Sequence, residues 1–242
     1  MILLLTGCIN PAGMLYTSLN NPKERKKQYV DAIRFYLSRT NYPIVFSENS
    51  GTDISNLFED EIRSSRMECL SFFGNQNKER GKGFGECEII QYALDNSKII
   101  KSAKDQYIAK ITGRLIIRNI ASIIQWHTFF YSHHTVFCAI NSDLSFPDSR
   151  FIIAPTDFYH TFLNSKNLID DSKGYYFEHA LCDTIKKEKH YPYMPFLYMP
   201  CIEGTSGSTG KIYSNETKSI KFIIEYAKYA LNQKRRFNKQ FR

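Results

Sequence analysis

Residues 43–53, with the sequence PIVFSENSGTD, decide which fold the chain can adopt. Their first five residues form a short apolar run that predicts a buried strand, and the polar, glycine-containing segment 48–53 predicts the turn that ends it. The N-terminus has the same arrangement, because the apolar run at 2–6 leads into a polar loop at 6–11. Strands that end in polar loops are the units of open α/β sheets, which bind ligands at those strand ends.

The rest of the chain alternates strand and helix signals around these two strands. We predict further strands at 67–73, 106–111, 135–140 and 151–154, and helices at 22–39, 86–97 and 175–187. In the helix at 22–39, Val30, Ile33 and Leu37 share one face. The alternation in the first half predicts an α/β fold with a mixed, mostly parallel sheet and crossover helices. The polar segment 204–210 is expected to be a flexible loop.

Composition bounds the class of protein. The chain has 242 residues, of which 43% are hydrophobic, and this suits one α/β domain and excludes a disordered protein. Its formal net charge of +8 suits an anionic partner, whether nucleic acid, acidic lipid or a phosphorylated substrate. None of the six cysteines forms a CxxC pair, so we expect reduced thiols in a cytosolic protein rather than a zinc site. The apolar N-terminus is too short for a signal peptide, and no run reaches the roughly 18 apolar residues of a membrane span.

The last segment, 216–242, is predicted to be an amphipathic basic helix. Five apolar residues share one face of it: Ile220, Ile223, Ile224, Ala227 and Leu231. Its end, 234–242, has five positive charges and no negative charge, with Phe237 and Phe241 among them. We expect the helix to pack on the domain and its tail to contact an anionic membrane surface, with the two phenylalanines at the interface. The alternative is a packed helix with a frayed tail.

Three segments carry a resemblance to a known family. The segment 44–53 ends its strand in ENSGTD, the segment 81–86 reads GKGFGE before a helix, and the segment 107–114 reads YIAKITGR. In this order they resemble the nucleotide-binding half of GT-A-fold glycosyltransferases, and more narrowly the small transferases of bacterial capsule and O-antigen gene clusters. The third segment falls where the family carries its DxD metal motif, but paired carboxylates are absent from it.

The resemblance implies both an architecture and an activity. It implies a single GT-A-like (Rossmann-like) domain at 1–215, with a nucleotide-binding half at about 1–126 and an acceptor half at about 127–215, followed by the basic helix at 216–242. The implied enzyme moves a hexosyl-type sugar from a nucleotide sugar to a lipid-linked glycan in capsular polysaccharide or lipopolysaccharide biosynthesis. It would be cytoplasmic and peripheral on the inner face of the cytoplasmic membrane.

The resemblance and the loop positions together imply a donor site. The residues expected to bind the donor or its diphosphate are Thr6, Gly7, Glu48, Asn49, Lys82, Lys110, Arg114, Ser206, Ser208 and Lys211. The acid at the strand end, Glu48, would contact the nucleobase or ribose, while Lys110 and Arg114 would replace the metal on the leaving diphosphate. The alternatives are a solvated Lys110, a structural ion pair of Arg114 and a linker at 204–210. A divalent Mn or Mg ion is not excluded, with Asp143 as a ligand if there is one.

A second set of residues is assigned to the transfer step. Glu178 follows the loop that begins at Asp170 and is the expected catalytic base, with His179 as its helper or as an acceptor ligand. The alternative is that both residues occupy a first helical turn as solvated caps. Asp143 and Asp157 are expected to contact the acceptor or the donor sugar, or else to serve as a turn residue and a helix start, respectively.

Two other functions remain open from the sequence alone. The positive charge and the aromatic content would also suit a nucleic-acid-binding protein, although no nucleic-acid-binding signature is present and no such partner is expected. The missing DxD motif would also suit a sugar-nucleotide-binding relative that has lost its activity.

Overall fold

The computed structural model describes residues 1–11, 17–103, 107–130, 134–207, 209–214 and 219–242, with the backbone alone at 129 and 130. Its strands are β1 (Ile2–Gly7), β2 (Ile44–Glu48), β3 (Met67–Ser71), β4 (Tyr107–Thr112), β5 (Ile116–Ile117), β6 (Val136–Phe137), β7 (Phe151–Pro155), β8 (Tyr193–Met194), β9 (Ile202–Thr205) and β10 (Ile212–Tyr213). Its α-helices are α1 (Pro22–Arg39), α2 (Glu59–Arg63), α3 (Lys82–Asn96), α4 (Lys98–Ser102), α5 (Ile120–Phe130), α6 (Thr156–Leu163), α7 (Phe177–Lys187) and α8 (Ile220–Phe241).

Seven of the strands form one mixed sheet in the order β3-β2-β1-β4-β7-β6-β8. The first four are parallel, whereas β7 runs antiparallel to β4, with Lys110 opposite Ile152. A smaller sheet, in the order β10-β9-β5, lies beside it. The expected α/β fold with a mostly parallel, mixed sheet is therefore confirmed at this level.

Both faces of the central strand β1 are covered, as its uninterrupted apolar sequence requires. Leu3 and Leu5 belong to one core cluster, which includes the buried face of α1, and Ile2 and Leu4 belong to another, which includes α3 and α7. All six residues of β1 are buried. The sheet is thus a middle layer between two layers of helices, and its strand ends are where ligands have access.

The helix α1 shows how local sequence sets the boundaries of these elements. Asn21 accepts hydrogen bonds from the N–H groups of Lys23 and Glu24, and Pro22 occupies the first turn, where it needs no hydrogen bond of its own. The helix ends at Arg39, so that its predicted range of 22–39 is confirmed.

Two predicted segments differ from the structure at their boundaries. The helix predicted to start at 86 begins four residues earlier, at Lys82, because the Asp171 carboxylate receives the N–H of Gly83 at 3.1 Å and so caps the first turn. The predicted loop at 204–210 overlaps the end of β9 at residues 204 and 205, and its other described residues, 206, 207, 209 and 210, lie between β9 and β10. The six cysteines, which all lie in the described ranges, form no disulfide there, and three of them are buried.

The C-terminal helix α8 packs the other way round from our expectation. Phe237 is fully buried, with its ring 4.6 Å from that of Tyr193, and Phe241 packs against the same cluster. Ile220 and Ile224, which were expected to face the core, are 78% and 51% exposed. The two phenylalanines of the tail therefore pack on the domain beside β8 and do not face outward as expected, while Arg235 before them and Lys239 between them stay exposed. Within the described ranges, no helix is both long and apolar enough to cross a bilayer.

Candidate functional site

The candidate site lies at the edge of the large sheet where β1, β2 and β4 end and β7 begins. The loops after β1 and β2 are joined there, because the Asn49 N–H donates to the Gly7 carbonyl at 3.1 Å. The antiparallel β7 brings its first residues to the same edge, and the Thr112 N–H donates to the carbonyl of Arg150 at 3.0 Å. Gly7 packs directly against the Phe46 ring, since a Cβ at this position would lie 2.7 Å from that ring.

A buried ion pair forms the floor of the site. The Nζ of Lys110 lies 2.5 Å from Oε1 of Glu86 and donates to the Ser149 carbonyl at 2.7 Å. The Thr6 hydroxyl donates to the same Glu86 oxygen at 2.7 Å. The Lys110 side chain is 1% exposed and that of Glu86 is 24% exposed. The carboxylate is therefore the accessible member of the pair, and Lys110 is neither solvated nor placed to touch a diphosphate in this structure.

The expected base, Glu178, lies next to this pair. Its Oε1 accepts a hydrogen bond from the Ser149 hydroxyl at 2.5 Å. Burial raises the pKa of Glu178, while the Ser149 hydrogen bond and the charge of Lys110 oppose that rise. The structure thus brings Glu178 and Lys110, which are 68 positions apart in the chain, into one electrostatic environment.

The neighbouring His179 has a different local role. Its Nδ1 accepts the N–H of Tyr176 at 3.1 Å, as part of a capping box that starts α7. Its ring lies 5.3 Å from that of Phe146, and Phe146 and Tyr176 are 37% and 40% exposed. His179 is thus a helix cap within an aromatic group beside Glu178, as in the local alternative, but it is half-buried rather than solvated.

Positive charge is concentrated on the other side of the site. Burial and the charges of Arg114 and Arg25 lower the pKa of Lys82 to about 8, and Asp171 acts in the opposite direction. Burial likewise lowers the pKa of Arg114, with a smaller contribution from Arg25. Arg25 and Arg114 thus disfavour the charge of Lys82, and a bound anion would relieve this environment. We call Arg25, Lys82 and Arg114 the cation cluster.

Glycines bring α3 close to Asp171 and so place Lys82 in this cluster. A Cβ at Gly83 would lie 2.8 Å from Oδ1 of Asp171 and 3.0 Å from the backbone nitrogen of Phe177, so only a glycine fits. Gly81 has φ of +89°, which also favours glycine. The glycine-rich segment is thus explained by packing against Asp171, and Lys82 is the residue in it that adds charge to the site.

Glu48, the last residue of β2, holds the loops after β1 and β2 together. The Glu48 carboxylate is fully buried and accepts the N–H groups of Ile9 and Thr52 at 2.8 and 2.9 Å. It also accepts the hydroxyls of Ser50 and Ser71. With its oxygens engaged in this way, Glu48 orders the loops after β1 and β2 and does not present its carboxylate to a nucleobase or ribose in this structure.

Asn49 is buried in a similar way. Its side-chain amide donates to Oδ1 of Asn75 at 2.8 Å, and the Asn75 amide donates back to the Asn49 carbonyl at 3.4 Å. This pair ties the end of β2 to the segment after β3. Asn49 therefore lies at the expected edge, with its amide engaged in the loop structure.

The β9–β10 hairpin is joined to the site by Arg114, which lies between β4 and β5. The guanidinium donates to the Thr205 carbonyl. Ser206 is buried, and its hydroxyl accepts the N–H of Thr209 at 3.2 Å, whereas Lys211 is exposed. The turn is thus held internally by Ser206. The remaining predicted residue, Ser208, lies outside the described residues.

The two predicted aspartates lie elsewhere. Asp157 follows the end of β7, and because β7 is antiparallel, its last residue Pro155 pairs with Tyr107 at the start of β4. A strand of this length spans about 16 Å, so Asp157 lies at the opposite edge of the sheet, and its assignment to the site is wrong. Asp143 is exposed in a turn, where Ser145 donates to its carboxylate and lowers its pKa. Among the described residues, no three His, Cys, Asp or Glu side chains converge on a common metal position.

The sequence reasoning missed two residues of the site for which signals exist. Arg25 falls on the buried face of α1, four positions before the buried Tyr29, and an arginine on such a face signals a polar partner. Its Nε donates to the Cys8 carbonyl at 2.7 Å. Glu86 could have been found from Lys110, since a lysine inside a buried strand requires a carboxylate partner.

The comparisons with known proteins do not identify a family. No protein-family model matches the sequence, and no curated protein matches it significantly. The chemistry of the site itself is therefore the basis for its function.

Proposed function

We propose that the protein is a glycosyltransferase that moves a sugar from a nucleotide sugar to a lipid-linked glycan in bacterial surface polysaccharide biosynthesis. The observation that carries the proposal is the cation cluster, in which burial, Arg114 and Arg25 lower the pKa of Lys82 to about 8. Like charges that are held together at the end of parallel strands suit a dianionic or trianionic group such as a nucleoside diphosphate.

The sheet topology supports a GT-A-like domain. Four parallel strands in the order β3-β2-β1-β4 are followed by the antiparallel β7, and the site residues lie where the strand order reverses between β1 and β4. Open α/β sheets bind nucleotides at such switch points. The fold by itself does not give the activity, which we assign from the charges at that edge.

In the proposed reaction, the donor diphosphate binds at Lys82 and Arg114. These cations stabilise the negative charge that develops on the leaving diphosphate oxygen as the bond to the sugar breaks. Arg25 adds to the positive potential through a side chain that is fixed by its hydrogen bond to the Cys8 carbonyl. The roles differ from our first expectation, because Lys110 acts through Glu86 and not on the diphosphate.

Glu178 is the proposed base for the acceptor hydroxyl. It lies in the first turn of α7, where it accepts a hydrogen bond from the Ser149 hydroxyl, the Ser149 carbonyl accepts one from Lys110, and burial raises the pKa of Glu178. A raised pKa brings a carboxylate nearer to the range in which it accepts a proton efficiently. The half-exposed rings of Phe146 and Tyr176 beside it offer flat apolar surfaces for the acceptor sugar.

The experiment incubates the protein with each class of nucleoside diphosphate sugar and a bacterial lipid-linked glycan fraction, and it measures the nucleoside diphosphate that is released. We expect release with one nucleotide class that depends on the acceptor fraction, and addition of Mn²⁺ or Mg²⁺ reads out metal dependence. The Glu178→Gln variant is the control for a contaminating hydrolase. If no donor gives acceptor-dependent release in a folded sample that binds a nucleotide, the conclusion is a sugar-nucleotide-binding protein without transferase activity.

A further inference from the structure

The helix α8 has two apolar stripes, and only one of them is covered by the domain. The covered stripe includes Ala230 and Phe237, which are 1% and 0% exposed. The second stripe consists of Ile220, Ile224 and Leu231, which are 78%, 51% and 43% exposed. At about 100° per residue, these three side chains lie within about 40° of one another around the helix axis. They form a continuous apolar line on the outside of the protein.

Basic side chains border this line along its whole length. Lys221, Lys228 and Arg235 recur every seven residues and are all exposed, so they lie in a row beside the apolar stripe. The helix contains six basic residues and a single acidic one, Glu225. We call Ile220, Ile224, Leu231, Lys221, Lys228 and Arg235 together the α8 outer face.

We propose that the α8 outer face docks on an anionic lipid bilayer, with the apolar line at the headgroup boundary and the basic row against the lipid phosphates. An amphipathic helix of this composition binds such surfaces in the plane of the interface. Charge complementarity favours the lipid surface over a second copy of the chain, because two outer faces in contact would bring their basic rows together.

The side of α8 opposite its outer face is joined to the loop that leads to the site. The Gln233 amide and the Arg236 guanidinium donate to the carbonyls of Asn141 and Ser142, in the loop that leads from β6 to β7. That loop ends at the start of β7, which lies at the site edge beside Thr112. Gln233 and Arg236 lie about 140–200° around the helix axis from the apolar line, so a bilayer on the α8 outer face would be separated from this loop by the helix, about 10 Å across. The docking stands without the proposed function, and only the benefit for a lipid-linked acceptor rests on it.

The test is co-sedimentation of the full chain with vesicles of phosphatidylcholine alone and of an equimolar mixture with phosphatidylglycerol. We expect binding to the mixed vesicles and little binding to phosphatidylcholine. The triple variant Lys221→Gln, Lys228→Gln, Arg235→Gln should bind about 100-fold more weakly, at about fivefold for each charge near the surface. The double variant Ile224→Gln, Leu231→Gln should lose at least about tenfold. These side chains are exposed, so both variants should melt at the temperature of the unaltered protein.

A matched control removes the same charge elsewhere. Arg34 and Arg39 on α1 and Lys98 on α4 are exposed, and their triple replacement by glutamine should leave vesicle binding within about threefold. Equal losses of vesicle binding in both triple variants would show that binding depends on net charge alone, and this would overturn the assignment to the α8 outer face. The other outcome is that the unaltered protein forms a dimer in solution and does not bind vesicles, and that the double variant Ile224→Gln, Leu231→Gln is a monomer. This outcome would assign the face to a second copy instead.

Discussion

The Nζ of Lys110 lies 2.5 Å from Oε1 of Glu86, although the lysine belongs to a central strand and the glutamate to the helix that packs over it. The Thr6 hydroxyl and the Ser149 carbonyl complete this network. A lysine that is 1% exposed needs such a partner, because an unpaired ammonium inside the protein would be strongly destabilising. The ion pair therefore stabilises the sheet and also fixes the position of the accessible Glu86 carboxylate in the site.

Breaking this pair from either side should destabilise the fold. Lys110→Met leaves the Glu86 carboxylate without its cation, and Glu86→Gln leaves the buried ammonium without its anion, each at a cost of about 3 kcal/mol. The double variant should cost less than the sum, with a coupling of about 1–3 kcal/mol. Urea denaturation of the four proteins measures the cycle. Additive effects would show that the two charges do not stabilise one another.

Replacement of the proposed base should separate binding from transfer. Glu178→Gln keeps the hydrogen bond to Ser149 but cannot take up a proton, so the rate of transfer should fall by about 10²–10⁴ while donor affinity stays unchanged. The matched variant is Asp157→Asn, which makes the same change at the opposite edge of the sheet and should retain full activity. A comparable loss in Asp157→Asn, or full activity in Glu178→Gln, would remove Glu178 from the reaction.

The affinity for a diphosphate should depend on pH through Lys82. In the free protein the pKa of Lys82 is lowered to about 8, whereas in the unfolded chain it lies near 10.4. The unfolded chain thus binds more protons between these values, and this lysine's contribution to stability improves as pH rises through that window. A bound diphosphate has the opposite preference, because it favours the ammonium.

Diphosphate affinity should therefore fall by about tenfold or more between pH 7 and pH 9.5. Calorimetric titration with inorganic pyrophosphate measures it. Lys82→Met should bind more weakly at pH 7 and show a flat profile across the same range. The same slope in Lys82→Met would assign the titration to another group.

Phe146 should matter for the acceptor and not for the donor. Its ring is 37% exposed beside His179, so Phe146→Ala removes little core packing and should change the free energy of unfolding by less than about 1 kcal/mol. We expect a several-fold higher KM for the acceptor at unchanged donor KM. Steady-state kinetics with each substrate varied in turn provide the measurement, and an effect on the donor KM alone would contradict the assignment.

The sequence was sufficient for the parallel half of the sheet, because its strands and helices differ in apolar period. The direction of β7 was not predictable in this way, since the apolar run at 151–154 has the same pattern in either direction. That direction decides which residues reach the site: it brings Ser149 in and takes Asp157 out.

The helix α8 shows a second limit of the sequence pattern. Its residues form two apolar stripes, and periodicity does not say which one finds the core. The structure places Phe237 inside, with its ring 4.6 Å from that of Tyr193 in β8, and leaves Ile224 outside. Among the site residues, Lys82, Arg114 and Glu178 were predicted, whereas Arg25 comes from a helix that the motifs did not include.

The central claim is that the cation cluster binds a nucleotide diphosphate, and thermal stabilisation tests it most directly. The melting temperature of the purified protein is measured with UDP-, GDP-, CMP- and dTDP-sugars, with and without Mn²⁺ or Mg²⁺. The account predicts a rise with one class of nucleoside diphosphate sugar, since a ligand at 100 times its Kd adds about 2.7 kcal/mol of stability, and a much smaller rise in Lys82→Met. No rise with any nucleotide in a folded sample, or an undiminished rise in Lys82→Met, would contradict it.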